Sequence, residues 1–389
     1  MATGTATSGS DVIFATRNGE LIDGLAGNDK LASSYRDTTL IGNAGDDLLL
    51  GIGRIREAGS TTEVETSSEL RGDDGNDLLT SALEFDLSTG ANVIGNLSID
   101  GGTGNDTIAS AVDVDASDGG FLFLDSWRVA AGPGRDLISL AAEFGGSDAN
   151  INVFAEDGDD WITTIIKGRG IQQDLDGGAG NDHIFSRLTA EGFLGNAYGD
   201  SGDDIIRLNV VLRTAESFAG VRVEGNDGDD HLSAQVDRAS PSGGTGFLGL
   251  FGGSGNDRLE AAIVSGAAGA SRLAGEEGDD TLSVSGGGTD PTNSNSIEGG
   301  AGNDNMTGSG NADRFVYDGA ELSNGVLEGD VATNFQSGAD EIVLPNGADD
   351  VNSWIIDGRG LLLTFQGDGD NLLLQNVFNY DQNDFGVLV

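Results

Sequence analysis

One six-residue figure recurs along the chain and restricts how the chain can fold. Its clearest copy is Gly177–Asp182, which reads Gly-Gly-Ala-Gly-Asn-Asp, and the apolar Ile184 lies two positions after the closing aspartate. Every copy has a glycine two positions before its aspartate and an apolar residue two positions after it. A figure repeated in this way predicts a stack of similar coils, one per copy. The closing aspartates of the twelve copies are Asp29, Asp47, Asp77, Asp106, Asp136, Asp160, Asp182, Asp204, Asp230, Asp257, Asp280 and Asp304.

The spacing of the copies indicates the length of each coil. The step from Asp29 to Asp47 equals two blocks of nine residues, and these blocks alternate between the figure and a degenerate turn. This spacing predicts coils made of two short strands and two turns. Later copies are more widely spaced, as between Asp47 and Asp77, while the Gly-rich turn keeps its length. We therefore expect the extra residues on the opposite edge, as strands around bends such as 145–149 and 167–170 and as long loops such as residues 51–70 and 112–128.

The strand-forming segments predict an all-β protein, a parallel β-roll or β-solenoid. They are rich in β-branched residues, are bounded by Gly, Asn and Ser, and show almost no helical periodicity. The apolar residue two after each aspartate should form one inward ladder, and a second ladder should run from Ile22 to Ile297. Such an interior looks thin, so we expect hydrophobic burial alone to be insufficient. Residues 1–306 then form a solenoid of about twelve coils, and the more aromatic residues 307–389 form a β-rich cap.

The charge of the chain excludes some partners and demands others. Acidic residues number 65 and basic residues 19, which gives a formal net charge of -46. Nucleic acid and anionic membranes would be repelled, and the chain would repel itself unless it bound cations. There is no cysteine to supply a disulfide, and no apolar run approaches the roughly 20 residues that span a bilayer. The start lacks a basic and an apolar region, so we expect no cleavable leader.

The repeated turn has the chemistry of a calcium site. Calcium takes six to eight oxygen ligands, and stacked turns would supply carboxylates and carbonyls from two coils at once. We expect glycine at the first and fourth positions to adopt positive φ and turn carbonyls inward. Up to eleven gaps between coils, holding about +22 of charge, would offset about half of the net charge. The preference of Gly and Asp for turns would explain any one copy. It does not explain why all twelve copies have aspartate at the same position of the figure.

Two details refine this expectation. The Asn or Asp that precedes the closing aspartate in eleven copies should serve the turn rather than bind the ion. In the remaining copy Arg135 brings a positive charge and Pro133 removes a donor, so the turn that ends at Asp136 should be the weakest site.

The turn sequences resemble a known calcium-binding repeat. GGAGND at 177–182, GGSGND at 252–257 and GGAGND at 299–304 are similar to the RTX (repeats-in-toxin) nonapeptide. The resemblance implies a parallel β-roll with several bound Ca2+ ions and the twelve closing aspartates as side-chain ligands. RTX rolls bind ions along both edges, whereas this sequence keeps the motif on one edge. The segments 330–344 and 384–389 are similar to the C-terminal region of RTX proteins, which implies type I secretion to the extracellular space or cell surface.

Candidate catalytic residues are few. His183 and His231 both occupy the variable position after a closing aspartate, and neither an HExxH nor a GxSxG motif is present. A solenoid can act on polysaccharides with tyrosine and arginine, but arginine stems commonly cover strand faces. We therefore expect no enzyme. The residues that a polysaccharide-modifying solenoid would use are Tyr198, Arg207, Arg213 and Arg222.

These observations favour a secreted calcium-binding structural protein. The expected partners are further copies of the chain, in a homo-oligomer or polymer that forms a surface layer, a filament or a biofilm matrix. The alternative is an extracellular solenoid that binds or modifies carbohydrate, such as cell-surface polysaccharide, through its long loops. Neither hypothesis involves nucleic acid or a membrane span.

Overall fold

The computed structural model describes most of residues 6–387. The described part excludes residues 58–63, 88–90, 117–119, 215, 239–244, 265–267, 288–293, 318–328, 345–349, 357, 367–369 and 379–384. The chain divides into two compact units, residues 1–198 and residues 199–389. The division falls within the strand Gly192–Ser201.

The first unit is built from strands that lengthen from 3 residues in β1 to 12 in β8 and have 7 to 10 residues after that. Each strand exists because apolar residues alternate with polar ones, which places one side chain of every pair inside. The strands of this unit are β1 (Val12–Phe14), β2 (Leu21–Asp23), β3 (Lys30–Ser33), β4 (Thr39–Ala44), β5 (Leu48–Glu57), β6 (Val64–Asp74), β7 (Leu78–Leu87), β8 (Asn92–Thr103), β9 (Thr107–Asp115), β10 (Phe121–Ala130), β11 (Leu137–Glu143), β12 (Asp148–Phe154), β13 (Trp161–Lys167), β14 (Gly170–Ala179), β15 (His183–Ala190) and β16 (Gly192–Ser201).

Parallel pairing converts the sequence repeat into a solenoid. The odd-numbered strands β1 to β15 pair in parallel with one another in order, and the even-numbered strands β2 to β14 do the same. The register equals the repeat: Lys30 pairs with Leu48, and Leu48 pairs with Leu78. These are the same steps that separate Asp29, Asp47 and Asp77. Each coil therefore adds one strand to each of two sheets, as the spacing predicts.

The second unit is also built from parallel coils, but strands near its end pair antiparallel. Its strands are β17 (Ile205–Leu212), β18 (Phe218–Asp227), β19 (His231–Arg238), β20 (Thr245–Ser254), β21 (Arg258–Ile263), β22 (Ala268–Glu277), β23 (Thr281–Gly286), β24 (Asn295–Ala301), β25 (Asn305–Thr307), β26 (Asp313–Val316), β27 (Gly329–Thr333), β28 (Glu341–Leu344), β29 (Val351–Ile356), β30 (Gly360–Phe365), β31 (Asn371–Gln375) and β32 (Phe385–Val387).

Parallel pairing in the second unit extends past the last Gly-rich turn. Strands β17 to β27 alternate between two parallel sheets, and β28 and β32 extend one of them. Among the described strands, only β29, β30 and β31 pair antiparallel, and β31 joins the edge of β27. The predicted boundary between a solenoid and a cap at residue 306 stays a prediction, as does a secretion signal in the cap. Of the segment 384–389, only residues 385–387 are described.

The predicted fold class is confirmed, and so are the strands on either side of bends 145–149 and 167–170, but the predicted long loops 51–70 and 112–128 are wrong. Both units are parallel β-solenoids, and the described residues contain no α-helix. The extra residues lengthen the strands rather than forming long loops. Within 51–70, β5 runs to Glu57 and β6 resumes at Val64, and within 112–128 most residues belong to β9 or β10. Extension preserves backbone hydrogen bonds with the neighbouring coils, which long loops would lose.

Both predicted apolar ladders lie in the core. Every residue two after a closing aspartate is buried, from Leu31 to Met306, and so is the second ladder from Ile22 to Ile297. The expectation of a uniformly thin interior is wrong, because the longer strands add whole columns of core residues. Phe85, Trp127 and Phe144 are fully buried in these wider coils. Apolar burial therefore supports the wide coils, and the first coils, with strands of three or four residues, have the least of it.

Candidate metal centre

The closing aspartates form an interlocked row along one edge of the solenoid. Each directly precedes an odd-numbered strand, and each is at most 3% exposed. The backbone N–H of one aspartate donates to Oδ1 of the aspartate in the next coil, as from Asp77 to Asp106 at 2.7 Å. Bonds of the same kind, 2.6–2.9 Å long, link Asp11 to Asp29 and onward to Asp182 in the first unit, and Asp204 to Asp230 and onward to Asp330 in the second.

In nine described residues of the row, the second carboxylate oxygen is buried without a hydrogen-bond donor. An acceptor in that position is costly unless a proton or a cation compensates it. Within the described part of the chain, Oδ2 has no hydrogen-bond partner in nine of the row's residues, namely Asp29, Asp47, Asp77, Asp106, Asp136, Asp160, Asp230, Asp257 and Asp280.

Two aspartates on the opposite edge show the alternative. The weak extra figure Gly308–Asp313 precedes β26, an even-numbered strand, and so lies across the solenoid from the row. Oδ2 of Asp313 accepts a 2.6 Å hydrogen bond from the Ser309 N–H, and Oδ2 of Asp340 accepts one of 2.7 Å from the Gln336 N–H. These turns satisfy Oδ2 with their own backbone. The Gly-rich turns leave Oδ2 open, so the open oxygen is a property of the motif and not of every aspartate turn.

The backbone of the Gly-rich turn differs from the expectation in one position. Positive φ occurs at the second and fourth positions, not at the first and fourth. The second position has positive φ in all twelve copies, even where it is Leu25, Asn43 or Glu276. The fourth position is always glycine, and it has positive φ in every copy except Gly134, which follows Pro133.

Glycine at the first position of the turn is favoured because there is little room for a side chain, not because of its backbone conformation. A Cβ on Gly72 would lie 2.2 Å from Oδ2 of Asp77 and 2.3 Å from the carbonyl oxygen of Gly101 in the next coil. A carboxylate oxygen and a carbonyl oxygen from two coils therefore crowd the same small space. The same crowding recurs at Gly252 and Gly275. Ala131 and Ala155, the two exceptions, show that the turn can be built around a methyl group.

The residue before the closing aspartate forms an outer row of its own. Its side-chain Oδ1 accepts a hydrogen bond from the backbone N–H at the same position in the next coil, as from Asn105 to Asn76 at 2.8 Å and from Asn256 to Asp229 at 2.7 Å. These side chains serve the turn, as predicted. Arg135 interrupts the outer row because a guanidinium has no acceptor, although its own N–H still donates to Asn105.

Burial makes the row a set of weak acids in the metal-free chain. Desolvation is the main cause that raises the pKa of these carboxyls, the N–H of the preceding aspartate lowers it, and neighbouring aspartates raise it further. The pKa rises to about 6 for Asp47, Asp106, Asp160 and Asp230. It rises to about 7 for Asp77, Asp136, Asp182, Asp257 and Asp280.

The donor set fits a hard cation that accepts carbonyl ligands. No three His, Cys, Asp or Glu side chains converge on one point anywhere in the described residues, so carboxylates alone would not hold an ion. Each coil instead offers a buried carboxylate oxygen beside main-chain carbonyls, all of them oxygen donors. Calcium accepts such mixed oxygen ligands, whereas softer metals prefer sulfur or imidazole.

Sequence analysis missed two members of the row. Asp11 pairs with Asp29 at the start, and Asp330 accepts from the Asp304 N–H at 2.9 Å near the end. Gly9-Ser10-Asp11 carries the Gly-x-Asp signal, but Asp330 has no Gly-rich turn before it. Oδ2 of Asp11 accepts a 2.6 Å hydrogen bond from the Thr7 N–H, so Asp11 closes the row rather than extending the open oxygens.

Two of the candidate catalytic residues, His183 and Arg222, take part in packing. His183 stacks on Trp161 with ring centroids 4.7 Å apart, as expected for equivalent positions of adjacent coils. Arg222 pairs with Glu224 and lies 4.4 Å over the ring of Phe251, which places it on a strand face. No helix among the described residues is long and apolar enough to cross a membrane.

These features define a class: a parallel β-solenoid with a row of buried, oxygen-only sites suited to divalent cations. The model of the RTX calcium-binding nonapeptide repeat matches residues 3–31, 98–120, 174–187, 250–262, 261–289 and 292–319. Over these segments the chain is similar to several copies of the RTX calcium-binding repeat, and this similarity indicates calcium binding. Proteins with these repeats are typically secreted, and the repeat fold is structural and often non-enzymatic. A comparison with curated proteins gave no match.

The structure extends the repeat beyond the matched segments. Those segments contain six of the twelve closing aspartates, Asp29, Asp106, Asp182, Asp257, Asp280 and Asp304. The other six precede odd-numbered strands in the same way and are equally buried. The copies that depart most from the repeat in sequence, such as the turn before Asp160, therefore keep its geometry.

Proposed function

We propose that this chain is a secreted structural protein that calcium stiffens and that assembles with further copies of itself outside the cell. The observation that carries the proposal is the set of nine buried Oδ2 atoms in the row that accept no hydrogen bond. The assembled form would be a surface layer, a filament or a biofilm matrix. No catalytic role is proposed, since His183 and Arg222 take part in packing.

The ligands would be the twelve closing aspartates together with main-chain carbonyls of the adjoining turns. In each turn the carboxylate would neutralise part of the ionic charge, and the ion would compensate the buried oxygen. The neighbouring carboxylates that raise one another's pKa would then be bridged by positive charge rather than left in repulsion. The row also supports a single ion-binding edge, because Asp313 and Asp340 on the other edge bond to their own turns.

Calcium binding and export would be coupled through folding. Binding free energy at a site that forms only in the folded chain is folding free energy. A chain of net charge -46 would stay loose where calcium is scarce and would close its turns where calcium is abundant. We further propose that the segments 330–344 and 384–389 belong to a type I secretion region.

The test is a calcium titration of the full chain. Circular dichroism should show β-structure appearing as calcium replaces chelator, and electron microscopy should show ordered assemblies only with calcium. Magnesium at the same concentration is the control, because its strict octahedral demand disfavours a carbonyl-rich site. Full order after exhaustive removal of divalent ions would overturn the calcium-dependent folding. A dispersed monomer in saturating calcium would overturn the assembly.

A further inference from the structure

One broad face of the first unit carries no charge, although the chain is strongly acidic. It is formed by the outward residues of five successive odd-numbered strands, which stand in three in-register columns beside the aspartate row. Several of its large side chains are about half exposed, including Leu137 and Trp161 at 47% and 48%. We call it the uncharged face, and its members are Leu48, Leu50, Ile52, Leu78, Thr80, Ala82, Thr107, Ala109, Ala111, Leu137, Ser139, Ala141, Trp161, Thr163 and Ile165.

Comparable faces elsewhere are charged. On the other sheet of the same unit, the outward positions include Arg71 and Asp100 in one column. In the second unit, the positions equivalent to the uncharged face include Arg258 and Glu260. With a net charge of -46, two copies of the chain meet least repulsion through a face without charge. The uncharged face is thus the natural place for one copy to approach another.

We infer that a second copy of this chain packs on the uncharged face about a two-fold axis that runs along β11. The inference rests on the proposed self-assembly and names its contact surface. A two-fold axis along the strand direction keeps each column over itself and reverses the order of the coils. Residues of β9 in one copy then face residues of β13 in the other, while β11 faces β11.

Side-chain size supports this axis. The outward residues of β9 are small, namely Thr107, Ala109 and Ala111, and those of β13 include the bulky Trp161 and Ile165. The two-fold axis therefore sets Trp161 and Ile165 of one copy over Thr107 and Ala111 of the other. A groove of about 530 Å³ lies beside this position, between Thr107, Leu137 and Trp161 of the face and Arg135 and Asp159 of the adjoining turns. Close packing of large on small residues is what a specific interface requires.

Charges at the border of the face also match. The fourth column, just outside the face, contains Asp113, Glu143 and Lys167 at equivalent positions of β9, β11 and β13. The same axis brings Asp113 of each copy towards Lys167 of the other. Glu143 meets its own counterpart at the axis, but within its chain it is paired with Lys167 at 3.2 Å. Opposite charges at a border favour one docking orientation over others.

The area is sufficient for a dimer. The five strands centred on the axis are the odd-numbered β7 to β15, and at about 4.8 Å per strand and about 6.6 Å per outward residue they span a patch of roughly 24 by 20 Å, or about 480 Å². The border columns add to this, and Arg187 of β15 in one copy lies opposite Ala82 of β7 in the other. Two such patches approach the roughly 1,200 Å² buried in the smaller specific interfaces. A weak, calcium-dependent dimer that further contacts extend into a larger assembly is the expected result.

Cysteine crosslinking tests the axis directly, because the chain has no cysteine. Ser139 lies on the proposed axis and is exposed, so Ser139→Cys should be joined to a dimer by a short bifunctional thiol reagent that spans about 10 Å. Ser283→Cys occupies the equivalent column in the second unit and is the matched control. Rapid crosslinking of the first variant alone, in calcium, supports the inference. Equal crosslinking of both variants, or of neither, overturns it.

A charge substitution separates this inference from the proposed function. Ala141→Glu sets two carboxylates against each other at the axis and should weaken dimerisation in calcium by roughly 30-fold or more in sedimentation. Ser285→Glu, in the matching column of the second unit, should leave dimerisation unchanged. If the natural chain assembles in calcium and Ala141→Glu assembles equally well, the face is wrong and the proposed function stands. If the natural chain stays monomeric, both fail.

Discussion

The backbone N–H of Asp77 donates to Oδ1 of Asp106 in the next coil at 2.7 Å, and both aspartates are buried. This bond uses one carboxylate oxygen for the solenoid itself and leaves Oδ2 for another partner. The same residue thus sets the register of the coils and supplies the candidate ligand. A substitution that keeps Oδ1 and removes the charge of Oδ2 separates the two roles.

Asp106→Asn is that substitution. Asparagine keeps an acceptor for the Asp77 N–H but places an amide where the ion would need an oxygen anion. We expect a loss of about 1–3 kcal/mol of unfolding free energy in calcium, and no loss in chelator, where a buried acid is replaced by a neutral group. Denaturant unfolding with and without calcium measures both values.

Asp313→Asn is the matched control on the opposite edge. There Oδ2 accepts the Ser309 N–H, and an amide nitrogen at that position would face a donor. The loss should therefore be the same in calcium and in chelator. A calcium-dependent loss at Asp313, or an equal loss in both conditions at Asp106, would contradict the assignment of the row.

The response of stability to pH should reverse when calcium is removed. In the metal-free chain, burial raises the pKa of Asp77 and Asp280 to about 7, above the unfolded value of about 3.9. A raised folded-state pKa means that the folded chain binds more protons, so this stabilisation is complete below about pH 4 and is lost as pH rises through 6 to 7. In chelator, the melting temperature should fall from pH 5 to pH 8.

Calcium should invert that trend. The ion competes with protons for the same carboxylates, so its affinity rises as pH passes through the raised pKa values. In saturating calcium, the melting temperature should therefore increase from pH 5 to pH 8. Thermal scans at fixed ionic strength measure both series, and parallel trends in calcium and chelator would refute the competition.

The fourth glycine of the turn should be irreplaceable. Gly75 has a φ of 146°, and a Cβ there would lie 1.9 Å from the carbonyl oxygen of Gly45 in the preceding coil. Gly75→Ala should cost at least about 2 kcal/mol with or without calcium, because the backbone itself must move. Gly310→Ala is the control, since a Cβ there meets nothing within 4 Å. Equal stability of the two variants, measured by denaturant unfolding, would show that the coils can accommodate a Cβ at position 75.

The sequence predicted those parts of the structure that require one residue type at a fixed position of every repeat. The Gly-x-Asp figure and the apolar residue after it located the turn, the row and the core ladder, because each requires one residue type at one position. Asp330 was not predicted as a member of the row, because only its hydrogen bond with Asp304 in the neighbouring coil places it there. The long coils were also misjudged: polar alternation in 51–70 and 112–128 is compatible with loops or with strands, and only pairing with neighbouring coils selects strands.

The glycine at the first position of the turn shows a second limit of prediction from sequence. Glycine there suggested positive φ, yet its role is to leave room for Oδ2 of the closing aspartate in the same turn. A sequence records that a side chain is absent but not whether conformation or space requires it. At the second position the backbone has positive φ although the residue need not be glycine. Leu25 and Glu276 adopt this conformation, so the sequence did not indicate it.

A closed polar network inside the first unit gives a test that is independent of calcium. Thr164 donates to Ser186 at 2.8 Å, Ser186 donates to Gln173 at 2.7 Å, and Gln173 donates back to Thr164 at 3.0 Å. All three side chains are at most 1% exposed, in an interior that is otherwise largely apolar. Thr164→Val opens the ring and leaves the Gln173 amide without its acceptor. That single change should cost about 1–3 kcal/mol, equally in calcium and in chelator.

Removing the whole network should cost less than opening it. In the triple variant Thr164→Val, Gln173→Leu and Ser186→Ala no buried polar group is left unsatisfied, so its unfolding free energy should be higher than that of Thr164→Val alone. Denaturant unfolding of the natural chain and both variants gives the comparison. A triple variant that is less stable than the single one would mean that the ring contributes net stability through its connected bonds, rather than only avoiding an unpaired amide.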